Sequence, residues 1–145
     1  MRKFQNYQIA ELALVVTVML LPRVSMASDT AHLDGSWQTT VSCEDSRGGL
    51  GYSYRFTSVV KGGVFHGEQG IVGEPSSLQI DGKIAADGSA KLYAKGRTGS
   101  KEFVPGRDTP MGTNYGYNIN AHFEGSTGTG TRVEGRPCSL QFVKE

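Results

Sequence analysis

With 15 Lys and Arg against 14 Asp and Glu over 145 residues, the chain is close to neutral and has no basic run, which argues against non-specific nucleic-acid binding. Its length suits one domain built on one modest core. Its two cysteines form no C-x-x-C pair, so a zinc site built on Cys is excluded.

The first segment reads as an export signal, separate from the fold. "MRKFQNYQIAE" carries Arg2 and Lys3, "LALVVTVMLL" is unbroken apolar, and "PRVSMA" ends on small Ser25 and Ala27. A charged start, an apolar centre and a small-residue cleavage site predict a secretory signal peptide at residues 1–27, cut after Ala27. A helix of that apolar run would reach about 15 Å, half a bilayer core and too short for an anchor. No Cys follows the cut to accept a lipid. Losing Arg2, Lys3, Arg23 and Glu11 takes the basic and acidic counts to 12 and 13, a net charge near −1. The expectation is a single β domain over 28–145, periplasmic or secreted, without a membrane span in the mature chain.

Strand patterns then recur between Gly-rich turns. "SWQTTVSC" alternates Trp37, Thr39, Val41 and Cys43 against polar neighbours. "GYSYRFTSVV" puts Tyr52, Tyr54 and Phe56 on one face, and a "KGG" turn at 61–63 leads into "VFHGEQG". "SSLQIDGKIAADGSAKLYAKG" reads as strand, Asp87-Gly88 turn, strand, since D-G tolerates the positive φ of tight hairpins. "RTGSKEFVPGRDTPMGTN", with two prolines and three glycines, is a long loop with a short strand at "KEFV". "YGYNINAHFEG" places Tyr115, Tyr117, Ile119 and Phe123 on one face, and "GTGTRVEG" and "CSLQFVKE" close the chain.

About eight short strands with tight turns predict an all-β chain: a single antiparallel meander, closed into a barrel to hide its edges. A β-sandwich is the alternative. Closure sets the first strand beside the last, and Cys43 ends one while Cys138 begins the other. In an oxidising compartment a Cys43–Cys138 disulfide is expected, with two free buried thiols as the alternative. The inward set includes Trp37, Phe56, Phe65, Val133 and Phe142, an aromatic list that favours a filled interior. Tyr52, Tyr54, Tyr115 and Tyr117 keep a polar pocket open as the other possibility, because each buried hydroxyl needs a partner.

Motifs for chemistry are sparse. His66 with Glu68 and His122 with Glu124 form H-x-E pairs, but both fall on the polar face, where solvated surface residues are the expected reading. "GRTGSK" lacks the G-K-[ST] ending of a phosphate loop, and "GSTGTG" has the wrong order for a dinucleotide fingerprint. "HGEQG" has no nucleophilic serine. No catalytic residue, metal site or cofactor is expected.

Asp34-Gly35-Ser36-Trp37 resembles the G-x-W opening of calycin-type barrels: lipocalins, avidins and small exported bacterial metalloprotease inhibitors. In those families the Trp closes one barrel end and often packs against an Arg from near the last strand, a part the resemblance gives to Arg132 or Arg136. Avidins line their pocket with several Trp, whereas this chain has only Trp37. Lipocalins add length and a helix that this pattern lacks. The inhibitors block a protease cleft with a short N-terminal tail, for which "SDTAHL" would serve, but their disulfide does not join first strand to last. The DGxW opening and R-P-C strand also resemble exported bacterial proteins of no assigned activity.

The function expected first is a non-enzymatic binding module for a small molecule or a partner protein. It would bind through the 97–114 loop and a tyrosine-rich mouth, with Tyr52, Tyr54, Tyr115, Tyr117, Arg97, Lys101 and Arg107 as candidate contacts. A protease inhibitor acting through residues 28–33 and an unassigned hydrolase are the alternatives.

Overall fold

A computed structural model describes residues 29–145; the expected signal peptide at 1–27 lies outside them. The eight strands run Gly35–Cys43 (β1), Tyr52–Lys61 (β2), Val64–Gln69 (β3), Leu78–Ile84 (β4), Ser89–Arg97 (β5), Asn114–Glu124 (β6), Thr127–Arg132 (β7) and Cys138–Lys144 (β8). Each pairs antiparallel with the next, and β1 pairs with β8, which closes the barrel. The meander and its closure are as the alternation implies, and the sandwich alternative falls away.

Chain parity sorts the connections. β2–β3, β4–β5 and β6–β7 are joined by tight hairpins at one end. The longer connections β1–β2, β3–β4, β5–β6 and β7–β8 all gather at the other. In the β2–β3 turn Gly62 and Gly63 take φ 57° and 74°, the left-handed pair that a two-residue hairpin requires. The Asp87-Gly88 turn is wider than the dipeptide implies: it spans 85–88, and only Gly88 has positive φ, at 82°.

The hairpin end is packed solid. Trp37, Phe65 and Phe142 are fully buried, and Phe123 sits among them with its ring centroid 4.7 Å from that of Phe142. Before β1, the 3-10 turn Ala31–Leu33 plugs the opening. It is tied down by Trp37 Nε1 donating to Leu33 O at 2.9 Å and Lys144 Nζ to His32 O at 2.7 Å. Gly62 N also donates to Asp34 Oδ1 at 2.8 Å. Thr30 and Leu33 are buried in this plug, so the 30–33 part of the expected inhibitory tail is docked. Higher in the barrel a buried polar pair, Thr39 Oγ1 and Ser58 Oγ, satisfies itself at 2.7 Å.

Trp37 departs from the calycin expectation in its partner. It meets the edge of Phe123, with centroids 5.3 Å apart at 89°. Arg132 and Arg136 lie at the far end because β7 and β8 meet there. Val133 is another correction: it is 55 % exposed. Gly128, Gly130 and Arg132 hold the inward phase of β7, which turns the next residue outward. At the long-loop end the Cys43–Cys138 disulfide joins directly paired residues of β1 and β8 that are 95 apart in sequence.

Candidate functional site

Where the filled core stops, toward the long loops, the barrel opens into a cavity of about 500 Å³. The interior is therefore neither wholly filled nor wholly hollow. Tyr52 and Tyr54 from β2, Gln69 from β3 and Tyr115 from β6 form its floor and wall. Inward residues on one strand are two apart, so the tyrosine rings stack along the strand. Tyr52 and Tyr54 lie 5.7 Å apart at 14°, and Tyr115 and Tyr117 lie 6.2 Å apart at 4°. Gly96 makes room for this stack, since a Cβ there would fall 2.7 Å from the Tyr115 hydroxyl.

Burial keeps Tyr54, Tyr115 and Tyr117 protonated. Desolvation pushes Tyr115 up to about 12, with Tyr52 adding to the shift and Arg132 opposing it. Tyr54 and Tyr117 move well above the ordinary phenol range for the same first reason, reinforced by neighbouring tyrosine hydroxyls. These three are thus neutral hydroxyls at any physiological pH, each a hydrogen-bond donor.

The loops above are clasped by guanidinium groups bonded to carbonyls. Arg136 is only 4 % exposed. Its Nη1 donates to Phe103 O at 2.8 Å, its Nη2 to Gly49 O at 3.1 Å, and its carbon lies 5.2 Å over the Tyr52 ring. One side chain therefore joins the β7–β8, β5–β6 and β1–β2 loops. Gly49 has to be glycine for this: a Cβ would come within 2.7 Å of the Val104 backbone and 2.8 Å of Arg136 Nη2. Arg97 performs the same service on the other flank. Its Nε donates to Gly112 O at 2.7 Å and its Nη1 to Gly73 O, binding the β3–β4 loop to the β5–β6 loop. Arg132 lies 4.1 Å over Tyr117, its Nε on Glu134 O at 2.6 Å.

The electrostatic outcome is one-sided. Arg47, Arg97, Arg132 and Arg136 all line the cavity, and among the described residues no carboxylate does. The two ion pairs of the described residues both involve His66, so none neutralises an arginine. Arg136 Nε is one of two fully buried side-chain polar atoms there without a partner. Carbonyl acceptors satisfy hydrogen-bonding needs without cancelling the charge, so the charged side chains of the cavity lining are all positive, while the carboxylates of the mouth loops lie outside it.

The candidate contacts divide accordingly. Tyr52, Tyr54, Tyr115 and Arg97 line the cavity, and Tyr117 sits one layer below, under Arg132. Lys101 is exposed on a 3-10 turn, Lys101–Phe103, and does not line it. That turn replaces the short strand expected at "KEFV": β5 and β6 pair with each other, which leaves no edge for a strand between them. Arg107 faces outward with Nε on Gly48 O at 2.7 Å, a loop clasp. The alternation did not single out Arg47, Phe103 or Val104, or give Arg132 and Arg136 a place in the pocket. Parity does: in a meander, every other connection shares one end.

The H-x-E motifs are apart. His66, on β3, donates from Nδ1 to Asp81 Oδ1 at 2.6 Å across the β3–β4 pair, and its Nε2 lies 3.3 Å from Glu68 Oε1. His122 is on the outer face of β6, paired with β5 and β7. Among the described residues no helix is long and apolar enough to cross a membrane. Comparison with protein-family models, curated proteins and solved structures finds no match to the chain.

Proposed function

We propose that this protein is an exported, non-enzymatic binding barrel that takes a small molecule into its open mouth. The observation that carries the reading is the cavity of about 500 Å³, a size suited to a compact ligand, lined by tyrosines and arginines. Export is supported by the signal-like residues 1–27 and by a disulfide that an oxidising compartment would preserve. The DGSW opening and the Trp-closed barrel end fit a calycin-type architecture. The protease-inhibitor alternative loses ground because Thr30 and Leu33 are buried in the plug. A partner protein is the second reading, favoured by the exposed Ile71, Val72 and Met111 on two of the mouth loops.

A thermal-shift screen of chemically diverse small molecules on the mature protein tests the first reading. Hits should raise the melting temperature of the wild type but not of Gln69→Trp, which fills the mouth from β3. Failure of every compound, together with capture of a protein that Ile71→Ser and Met111→Ser abolish, would transfer the function to the loop rim.

A further inference from the structure

We infer that the ligand is an organic anion: an apolar body seated among Tyr52, Tyr115 and Phe103, with an acidic group met by the guanidinium groups of Arg47, Arg132 and Arg136. This rests on the small-molecule reading and goes further, naming the charge and the groups that read it.

Three observations converge on it. The cavity wall carries four arginines and, among the described residues, no acidic side chain. Second, Arg136 is buried at the cavity without a carboxylate, and its carbonyl acceptors leave its positive charge uncompensated, a cost that an incoming anion would reduce. Third, Arg132 is fixed by its Nε bond and by the Tyr117 ring below it, while its Nη groups take no protein acceptor among the described residues. A guanidinium held in one orientation with donors to spare is prepared for a planar acid. The phenols add neutral donors and contribute no competing negative charge. The apolar part of the wall, Phe103, Val104 and Pro105, asks for more than a bare inorganic oxyanion.

A matched pair of fluorescent probes separates charge from shape: 8-anilinonaphthalene-1-sulfonate, and N-phenyl-1-naphthylamine, the same ring system without the sulfonate. Titrated into the mature protein, the sulfonate should bind at least about tenfold more tightly, the scale of one charge-assisted contact. Arg132→Gln and, independently, the exposed Arg47→Gln should each weaken the sulfonate severalfold and leave the neutral probe unchanged. Unaltered melting temperatures show that both variants fold. Gln69→Trp should exclude both probes. Equal affinity for the two probes, or sulfonate binding indifferent to both arginine variants, overturns the anion assignment and leaves the binding reading in place. Sulfonate binding that survives Gln69→Trp would place it on the loop rim and also overturns the assignment. Hits in the thermal-shift screen confined to neutral or cationic compounds do the same, and no hit of any charge overturns both.

Discussion

Trp37→Ala is expected to cost about 3–5 kcal/mol, as removal of a large aromatic side chain from a close-packed site does. The indole is fully buried, meets the edge of Phe123 at 5.3 Å, and holds the 3-10 plug through Leu33 O at 2.9 Å. Trp37→Phe separates these roles. It keeps an aromatic ring against Phe123 but leaves the Leu33 carbonyl without its donor, a loss of about 1–3 kcal/mol before the smaller ring volume is counted. Against a total stability of about 5–15 kcal/mol, the alanine variant approaches unfolding while the phenylalanine variant stays folded. Urea titration with the disulfide intact, followed by far-ultraviolet circular dichroism, measures both. The only tryptophan gives a second readout: iodide should leave native emission nearly unquenched. A cost below about 1 kcal/mol for Trp37→Ala, the size of an ordinary surface change, would refute the plugged-end account. Efficient native quenching would do so as well. Folded Trp37→Phe should bind mouth ligands as the wild type does, because Trp37 lies at the opposite end.

Other expectations follow from the same geometry. Arg136→Met leaves the Phe103 carbonyl without its side-chain donor and Gly49 O with the Ser46 N–H alone, and limited proteolysis should become faster at the β1–β2 and β5–β6 loops than elsewhere in the barrel. Replacing both cysteines by Ala should lower stability by about 2–5 kcal/mol, read by the same urea titration. His66 titrates above its ordinary value, chiefly through its hydrogen bond to Asp81, with charge from Asp81 and Glu68 assisting. A raised folded-state pKa makes the stabilising contribution full below the unfolded-state value and lost as pH rises through the folded one. With the pair about half exposed the effect on stability is small, so the sharper test is a nuclear magnetic resonance titration of the imidazole, which Asp81→Asn should move downward.

Much of the barrel was legible because period-two alternation is strong wherever one face is buried. Trp37, Val41, Phe56, Ile80, Ile119 and Phe142 declare the inward face without ambiguity, and closure follows from the edge problem. The cysteines at matching ends of first and last strand then pair. The site was legible only in part. Tyr52, Tyr54 and Tyr115 announce themselves by alternation, but arginines in loops have no period, and their placement depends on how four connections fold over one another. Arg136 reads as an isolated charge before "PC" and becomes a clasp only when Gly49 and Phe103, distant in sequence, arrive beside it. Val133 misleads for the opposite reason: it is apolar, yet its strand has ended.

Mapping backbone amide chemical shifts of the isotopically labelled 28–145 chain, as a hit from the thermal-shift screen is added, decides whether ligands enter the open mouth. Perturbations should concentrate at Tyr52, Thr98, Gly99, Tyr115, Gly135 and Arg136, which surround the cavity, with the closed end at Leu33, Trp37 and Phe142 silent. Shifts centred on the plug, or spread over the outer strand faces at Val59, Val64 and Val143, would contradict binding in the mouth.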